Sequence, residues 1–133
     1  MKTVHIAEMI AEGGRDGIVE GAEGGFRVEL SSGEKRGDIT PEHLFAGAYA
    51  ACFLGALKSQ AQTAHHPTDG ITLVARVHLD DDGRGEFNLN VDLRAAFPGV
   101  NRSDAKHLMN LAHQSCPYSK ATRGNINVNL SFD

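Results

Sequence analysis

Two cysteines, seven histidines and an arginine on a glycine-rich turn are the side chains in this 133-residue chain that could carry chemistry. Cys52 lies in "FAGAYAACFLGALK" (45–58), among alanines, glycines and large apolar side chains. Cys116 lies in "HQSCPYSKATRGN" (113–125), beside a proline, a tyrosine and a basic run. Their separation of 64 residues excludes a CxxC redox pair and a zinc-ribbon pair. Taken alone, a free cysteine is more often a small buried hydrophobe than a nucleophile. The setting of Cys116 moves that reading, because a core filler needs neither a proline nor a basic segment beside it.

The histidines show no His-Glu-x-x-His pattern, and His65 and His66 point about 100° apart on a helix. They read as surface or locally hydrogen-bonded groups, since a zinc site needs several converging ligands. Arg15 sits in "GGRDG" (13–17), on a turn tight enough to fold its side chain toward a pocket or to leave it in water. The segment lacks the Lys-Ser/Thr ending of a phosphate loop, and no Gly-x-Ser-x-Gly elbow occurs anywhere.

The elements that must hold these residues follow from periodicity. Residues 2–11, 18–21 and 26–31 carry strand-forming residues separated by the turns "EGGRDG" and "AEGG". Thr40-Pro41-Glu42 marks a helix start, with a Thr cap, Pro in the first position and a carboxylate in the first turn. That helix is expected to run to about His66, before Pro67. Its first half is apolar on nearly all sides and so must be covered on all sides, which one small sheet cannot do. A second copy of the chain is the simplest source of the missing wall. Residues 71–79 and 86–97 form a hairpin around "DDDGRG", the second strand alternating through Phe87, Leu89, Val91 and Leu93. Ser103 is expected to cap a helix with Ala105, Leu108, Met109, Leu111 and Ala112 on one face, ended or bent by Pro117. Residues 126–132 alternate again as a last strand. The order strand–strand–strand–helix–strand–strand–helix–strand is α+β with mainly antiparallel hairpins, in a single domain over 1–133.

Hydrophobic content of 41% and charged content of 23% fit an ordinary globular domain. A net charge of −4 argues against nucleic acid or an anionic membrane as partner. The longest apolar run, Leu44–Leu57, is too short to cross a bilayer, which takes about 18 residues. The N-terminus is broken by His5, Glu8 and Glu12, so no export signal is read there. A cytoplasmic location is therefore expected, where thiols stay reduced.

Three segments, "GGRDG" (13–17), "TPEHLFAGAYAACFLGALK" (40–58) and "HQSCPYSKATRGNINVNL" (113–130), resemble the organic hydroperoxide resistance branch of the OsmC superfamily in order and spacing. The resemblance covers essentially the whole chain. It implies an OsmC-like α+β fold with a long central helix, in an intertwined homodimer with sites at the interface. It also implies a cysteine-based peroxidase that reduces organic hydroperoxides to alcohols. Cys52 matches the family's peroxide-attacking cysteine and Cys116 its resolving cysteine. Arg15 matches the arginine that contacts the thiolate, and Glu42 the carboxylate that orients it. No metal, haem, flavin or NAD is implied, and the implied reductant is dihydrolipoyl groups on lipoylated proteins. Apolar walls from Phe45 and Phe53 would favour alkyl or acyl chains on the peroxide. The loop 31–39 is shorter and more charged than the family's usual segment, which bears on the pocket mouth and on substrate preference. Two alternatives stay open beside this: a broader OsmC-type peroxidase, and a noncatalytic His-rich metal- or ligand-binding protein with Cys52 as filler.

Overall fold

The computed structural model describes residues 1–133, which divide into two compact units, Met1–Leu44 and Phe45–Asp133. In the first unit, β1 (Met9–Glu12), β2 (Ile18–Gly21) and β3 (Arg27–Glu29) form an antiparallel meander. The strand expected over residues 2–11 is shorter and later. β2 ends at Gly21, the partner of Met9, so earlier residues have no strand opposite them. Between β1 and β2 the chain makes a single 3₁₀ turn over Gly14–Asp16. Gly13 enters this turn at φ +82°, and a Cβ on Gly17 would lie 1.8 Å from the Glu12 carbonyl oxygen. The glycines of "GGRDG" are therefore steric requirements of the turn that carries Arg15. Leu30 is the one buried side chain of this unit, while Val4, Ile6, Met9, Ile10 and Phe26 are exposed.

Helix α1 (Pro41–Thr63) starts with Pro41 in the first position and Glu42 in the first turn, as its sequence signals require, while the Thr40 hydroxyl meets the His43 ring at 2.9 Å rather than capping a backbone N–H. Ahead of it the Thr40 backbone N–H donates to His43 Nδ1 at 3.0 Å, which gives that histidine the local role expected of it. The helix stops three residues before the expected end. His65 takes a left-handed conformation at φ 60°, and the His66 N–H bonds back to the Ala61 carbonyl at 2.8 Å.

In the second unit, α1 buries Tyr49, Phe53, Leu57 and Ala61, a line at four-residue spacing. On the opposite side Gly47, Ala51 and Gly55 are exposed in the single chain. β4 (Thr72–Asp81) and β5 (Phe87–Ala96) form the long hairpin, in register from Thr72 opposite Ala96 to Asp81 opposite Phe87. Val91, Leu93 and Ala95 of β5 face the core, and their alternates Asp92 and Arg94 face away. β6 (Val128–Phe132) pairs with β5 in parallel, so a crossover is needed, and α2 (Arg102–Ser115) and α3 (Pro117–Thr122) supply it. Ala105, Leu108, Met109 and Ala112 form the buried face of α2, as their spacing requires, while Leu111, expected with them, is only half-buried.

Two local expectations change. Asn101, not Ser103, caps α2, its Oδ1 accepting the Asp104 N–H at 2.9 Å; the signal lay two residues upstream. Pro117 ends α2 as expected, but a further helix, which was not expected, begins with it. It stands in the first position of α3, where its missing N–H costs nothing, and Cys116 becomes the joint between two helices.

Candidate active site

Of the four residues singled out for catalysis, the structure brings together two pairs. Within the first unit, Arg15 Nη2 donates to both carboxylate oxygens of Glu42 at 2.6 Å. Arg15 remains 56% exposed on its turn, whereas Glu42, at the start of α1, is 15% exposed. Burial acts to raise the Glu42 pKa. The Arg15 hydrogen bonds and charge outweigh this, with help from its own backbone amide and from Thr40, and hold the carboxyl below its ordinary value. Glu42 is thus an ionised anchor for a guanidinium that still has donors to spare.

Within the second unit, Cys52 and Cys116 Sγ lie 3.4 Å apart, both as free thiols. Cys52 is half-buried on α1, and Cys116 is fully buried at the α2–α3 joint. Burial pushes the Cys52 thiol above its ordinary value, as its apolar sequence neighbours imply. The sulfur of Cys116 pushes the same way, since two sulfurs in contact resist carrying charge together. The backbone N–H of Tyr118 opposes the rise. The 64 residues between the cysteines hide this proximity. It arises because the joint between α2 and α3 packs against α1.

Around the cysteine pair lies a connected set of buried polar groups. Tyr49 Oη is 2.8 Å from Ser119 Oγ and 3.2 Å from Thr122 Oγ1, and His113 Nδ1 is 2.8 Å from Ser119 Oγ. Burial, and then the positive charge of Arg123, lower the His113 pKa, so the imidazole is neutral at pH 7. No buried side-chain nitrogen or oxygen in the chain lacks a partner.

A largely apolar cavity of about 340 Å³ in the same unit is walled by Phe45, Leu89, Tyr118, Ala121 and Ile126, with Thr122 and Asn125 at its polar edge. Phe45 faces this space. Phe53 does not line it: that side chain is fully buried in the core, where its ring lies 6.5 Å from that of Tyr49. Tyr118 joins cavity to thiol, its side chain lining the one while its backbone reaches the other. Sequence reasoning passed over Tyr118, although its place two residues after Cys116 was the available signal. No three His, Cys, Asp or Glu side chains converge as a metal site would require. No helix is long and apolar enough to cross a membrane.

Residues 32–131 match the family described as OsmC-like protein. The chain is 40% identical over 141 residues to the organic hydroperoxide resistance protein of Xanthomonas axonopodis pv. citri, covering 98% of this chain and 96% of that one. It is 39% identical over 131 residues to the organic hydroperoxide resistance protein OhrB of Bacillus subtilis, covering 95% and 96%. Its fold is similar to the crystal structure of an organic hydroperoxide resistance protein from Elizabethkingia anophelis. There the TM-score is 0.90 at 39% identity, over 100% of this chain and 99% of that one.

Proposed function

The chain belongs to the OsmC-like family, among the organic hydroperoxide resistance proteins, and from that membership we propose that it is a thiol-dependent peroxidase acting on organic hydroperoxides. The observation that carries this reading is the contact of two free sulfurs, Cys52 and Cys116, at 3.4 Å. In the proposed cycle the Cys52 thiolate attacks the distal oxygen of ROOH. The O–O bond breaks, the RO⁻ fragment takes a proton and leaves as alcohol, and Cys52 is left as sulfenic acid. Cys116 sulfur then attacks Cys52 sulfur. The S–O bond breaks, hydroxide leaves with the Cys116 proton as water, and a disulfide remains. A dithiol returns both cysteines to the reduced state by exchange.

Arg15 is assigned the role of stabilising the Cys52 thiolate and the leaving oxygen, and Glu42 that of orienting Arg15. The 2.6 Å pairing of these two residues supports the second assignment. Phe45 and the cavity it lines are assigned to the organic part of the peroxide, with Phe53 backing them from the core. The reductant is proposed to be dihydrolipoyl groups on lipoylated proteins, and the location cytoplasmic. A single functional domain is proposed, since the similarity to the Xanthomonas relative covers 98% of this chain and so spans both compact units.

A homodimer belongs to the same proposal. The sheet of residues 9–29 buries almost nothing within the chain, and the line Gly47, Ala51, Gly55 on α1 is open. Light scattering is expected to give about twice the 14.2 kDa chain mass, because a lone chain would leave this apolar surface in water. A stable monomer at micromolar concentration would contradict it.

The central test is a count of free thiols before and after one equivalent of cumene hydroperoxide, followed by dihydrolipoamide. The expected result is loss of both thiols with release of the alcohol, and their return with the dithiol. Unchanged thiols would leave a noncatalytic binding protein as the better reading.

A further inference from the structure

The contact between α1 and α3 at the sulfurs has a polar counterpart one turn away. Tyr49 precedes Cys52 by three residues on α1, and Ser119 follows Cys116 by three residues at the start of α3. Residues at this spacing share a helix face, about 4.5 Å apart along the axis. Cys52–Cys116 at 3.4 Å and Tyr49–Ser119 at 2.8 Å are therefore successive rungs between the same two helices. Ser119 Oγ also meets His113 Nδ1 at 2.8 Å, which brings in the last turn of α2. Arg123 Nη2, just past the end of α3, donates to the His113 carbonyl at 2.6 Å.

α3 needs such fastening. It has six residues, too few for a helix to hold its own shape in water, and it follows a break at Cys116 and Pro117. Its buried faces carry Ser119 and Thr122 rather than large apolar side chains. What fixes α3 against α1 is consequently directional. A hydroxyl pair buried this deeply holds one register, because slipping the helix would strand both hydroxyls without partners. Cys116 is carried at the start of that helix, so the register of α3 is the register of its sulfur.

We propose that Tyr49 and Ser119 are positioning residues for the resolving step, their hydrogen bond holding Cys116 sulfur against Cys52. This rests on the thiol-peroxidase reading above and assigns the resolving rate to a pair of groups whose hydroxyls bond each other, Thr122 and His113 rather than either sulfur. The rung keeps Cys116 within reach while Cys52 passes from thiol to sulfenic acid. A sulfenic acid that waits for its partner meets a second hydroperoxide and goes on to sulfinic acid.

Tyr49→Phe removes one hydroxyl and no volume, and Ser119→Ala removes the other half of the bond. Two measurements read the consequence. The first is the equilibrium of the Cys52–Cys116 disulfide with reduced and oxidised dithiothreitol, which needs no peroxide. The second is mass spectrometry of Cys52 after rising amounts of cumene hydroperoxide, scored as disulfide against sulfinic acid. Each variant is expected to weaken the disulfide equilibrium about ten-fold and to shift Cys52 toward sulfinic acid at lower peroxide. First-step oxidation of Cys52 should stay within about two-fold of wild type, since no reacting group has changed. The double variant should be worse than either single one by less than the sum of the two, because both delete the Tyr49–Ser119 bond, while Tyr49→Phe alone also loses the bond to Thr122 and Ser119→Ala the bond to His113. A Tyr49→Phe protein with wild-type disulfide equilibrium and wild-type partition would overturn the proposal, even if Ser119→Ala fails to fold. A wild-type protein whose thiols ignore hydroperoxide would overturn the peroxidase reading instead, and the dithiothreitol equilibrium would still decide whether the rung positions Cys116.

Discussion

Cys52→Ser is expected to reduce hydroperoxide consumption to the uncatalysed background, whereas Cys116→Ser should consume about one equivalent and then stop. The difference comes from what each sulfur does. A serine hydroxyl in place of Cys52 is not ionised at pH 7 and attacks a peroxide oxygen poorly, so the first step is lost outright. Without Cys116 the first step survives, because Cys52 still meets the peroxide. Its sulfenic acid then lacks a partner at 3.4 Å and accumulates or goes on to sulfinic acid. Hydroperoxide consumed per protein chain, followed by mass spectrometry of Cys52, reads both outcomes. A Cys116→Ser protein that turns over normally with dihydrolipoamide would remove Cys116 from the resolving role.

Arg15→Ala is expected to slow peroxide reduction by about 10²-fold or more and to move the alkylation midpoint of Cys52 to higher pH. Burial and Cys116 already push that thiol up, so little of it is ionised at pH 7 unless a positive charge opposes them. A guanidinium about 4 Å from a thiolate contributes up to ~4 kcal/mol at an effective dielectric of 20, enough to offset a burial shift of two to three pKa units. The substitution itself should disturb the fold little, because Arg15 is 56% exposed and the turn is held by Gly13 and Gly17. Arg15→Lys should recover only part of the rate, since a point charge cannot grip both Glu42 oxygens and reach the sulfur as well. Glu42→Gln should cost less than Arg15→Ala, because it loosens the arginine without deleting its charge. The sign with pH follows from the depressed carboxyl. Glu42 stays ionised to a lower pH than a free glutamate does, so its hold on Arg15 is present at neutral pH and is lost only as the pH falls through its lowered value. An Arg15→Ala protein with an unmoved thiol titration and a wild-type rate would leave Arg15 as a turn residue alone.

Much of this protein could be read from its residues in order. Thr40-Pro41-Glu42 marks the start of α1, the alternation through Val91 and Leu93 marks β5, and Leu108, Met109 and Ala112 mark the buried face of α2. These are local properties: a cap, a proline or a period of two or 3.6 acts within a few residues, whatever the rest of the chain does. The family resemblance was legible for a related reason, since the segments around Arg15, Cys52 and Cys116 are long runs of specific residues. What sequence could not show is proximity. That the two sulfurs touch, that Tyr49 bonds Ser119 across 70 residues, and that Phe45 faces a cavity while Phe53 is locked in the core depend on where α3 is laid against α1. α3 itself escaped notice, because a proline after Cys116 reads equally as the end of one helix or the first residue of another. Tertiary packing settled that choice: a six-residue helix too short to stand alone persists where Tyr49, His113 and Arg123 supply the bonds that its own backbone cannot.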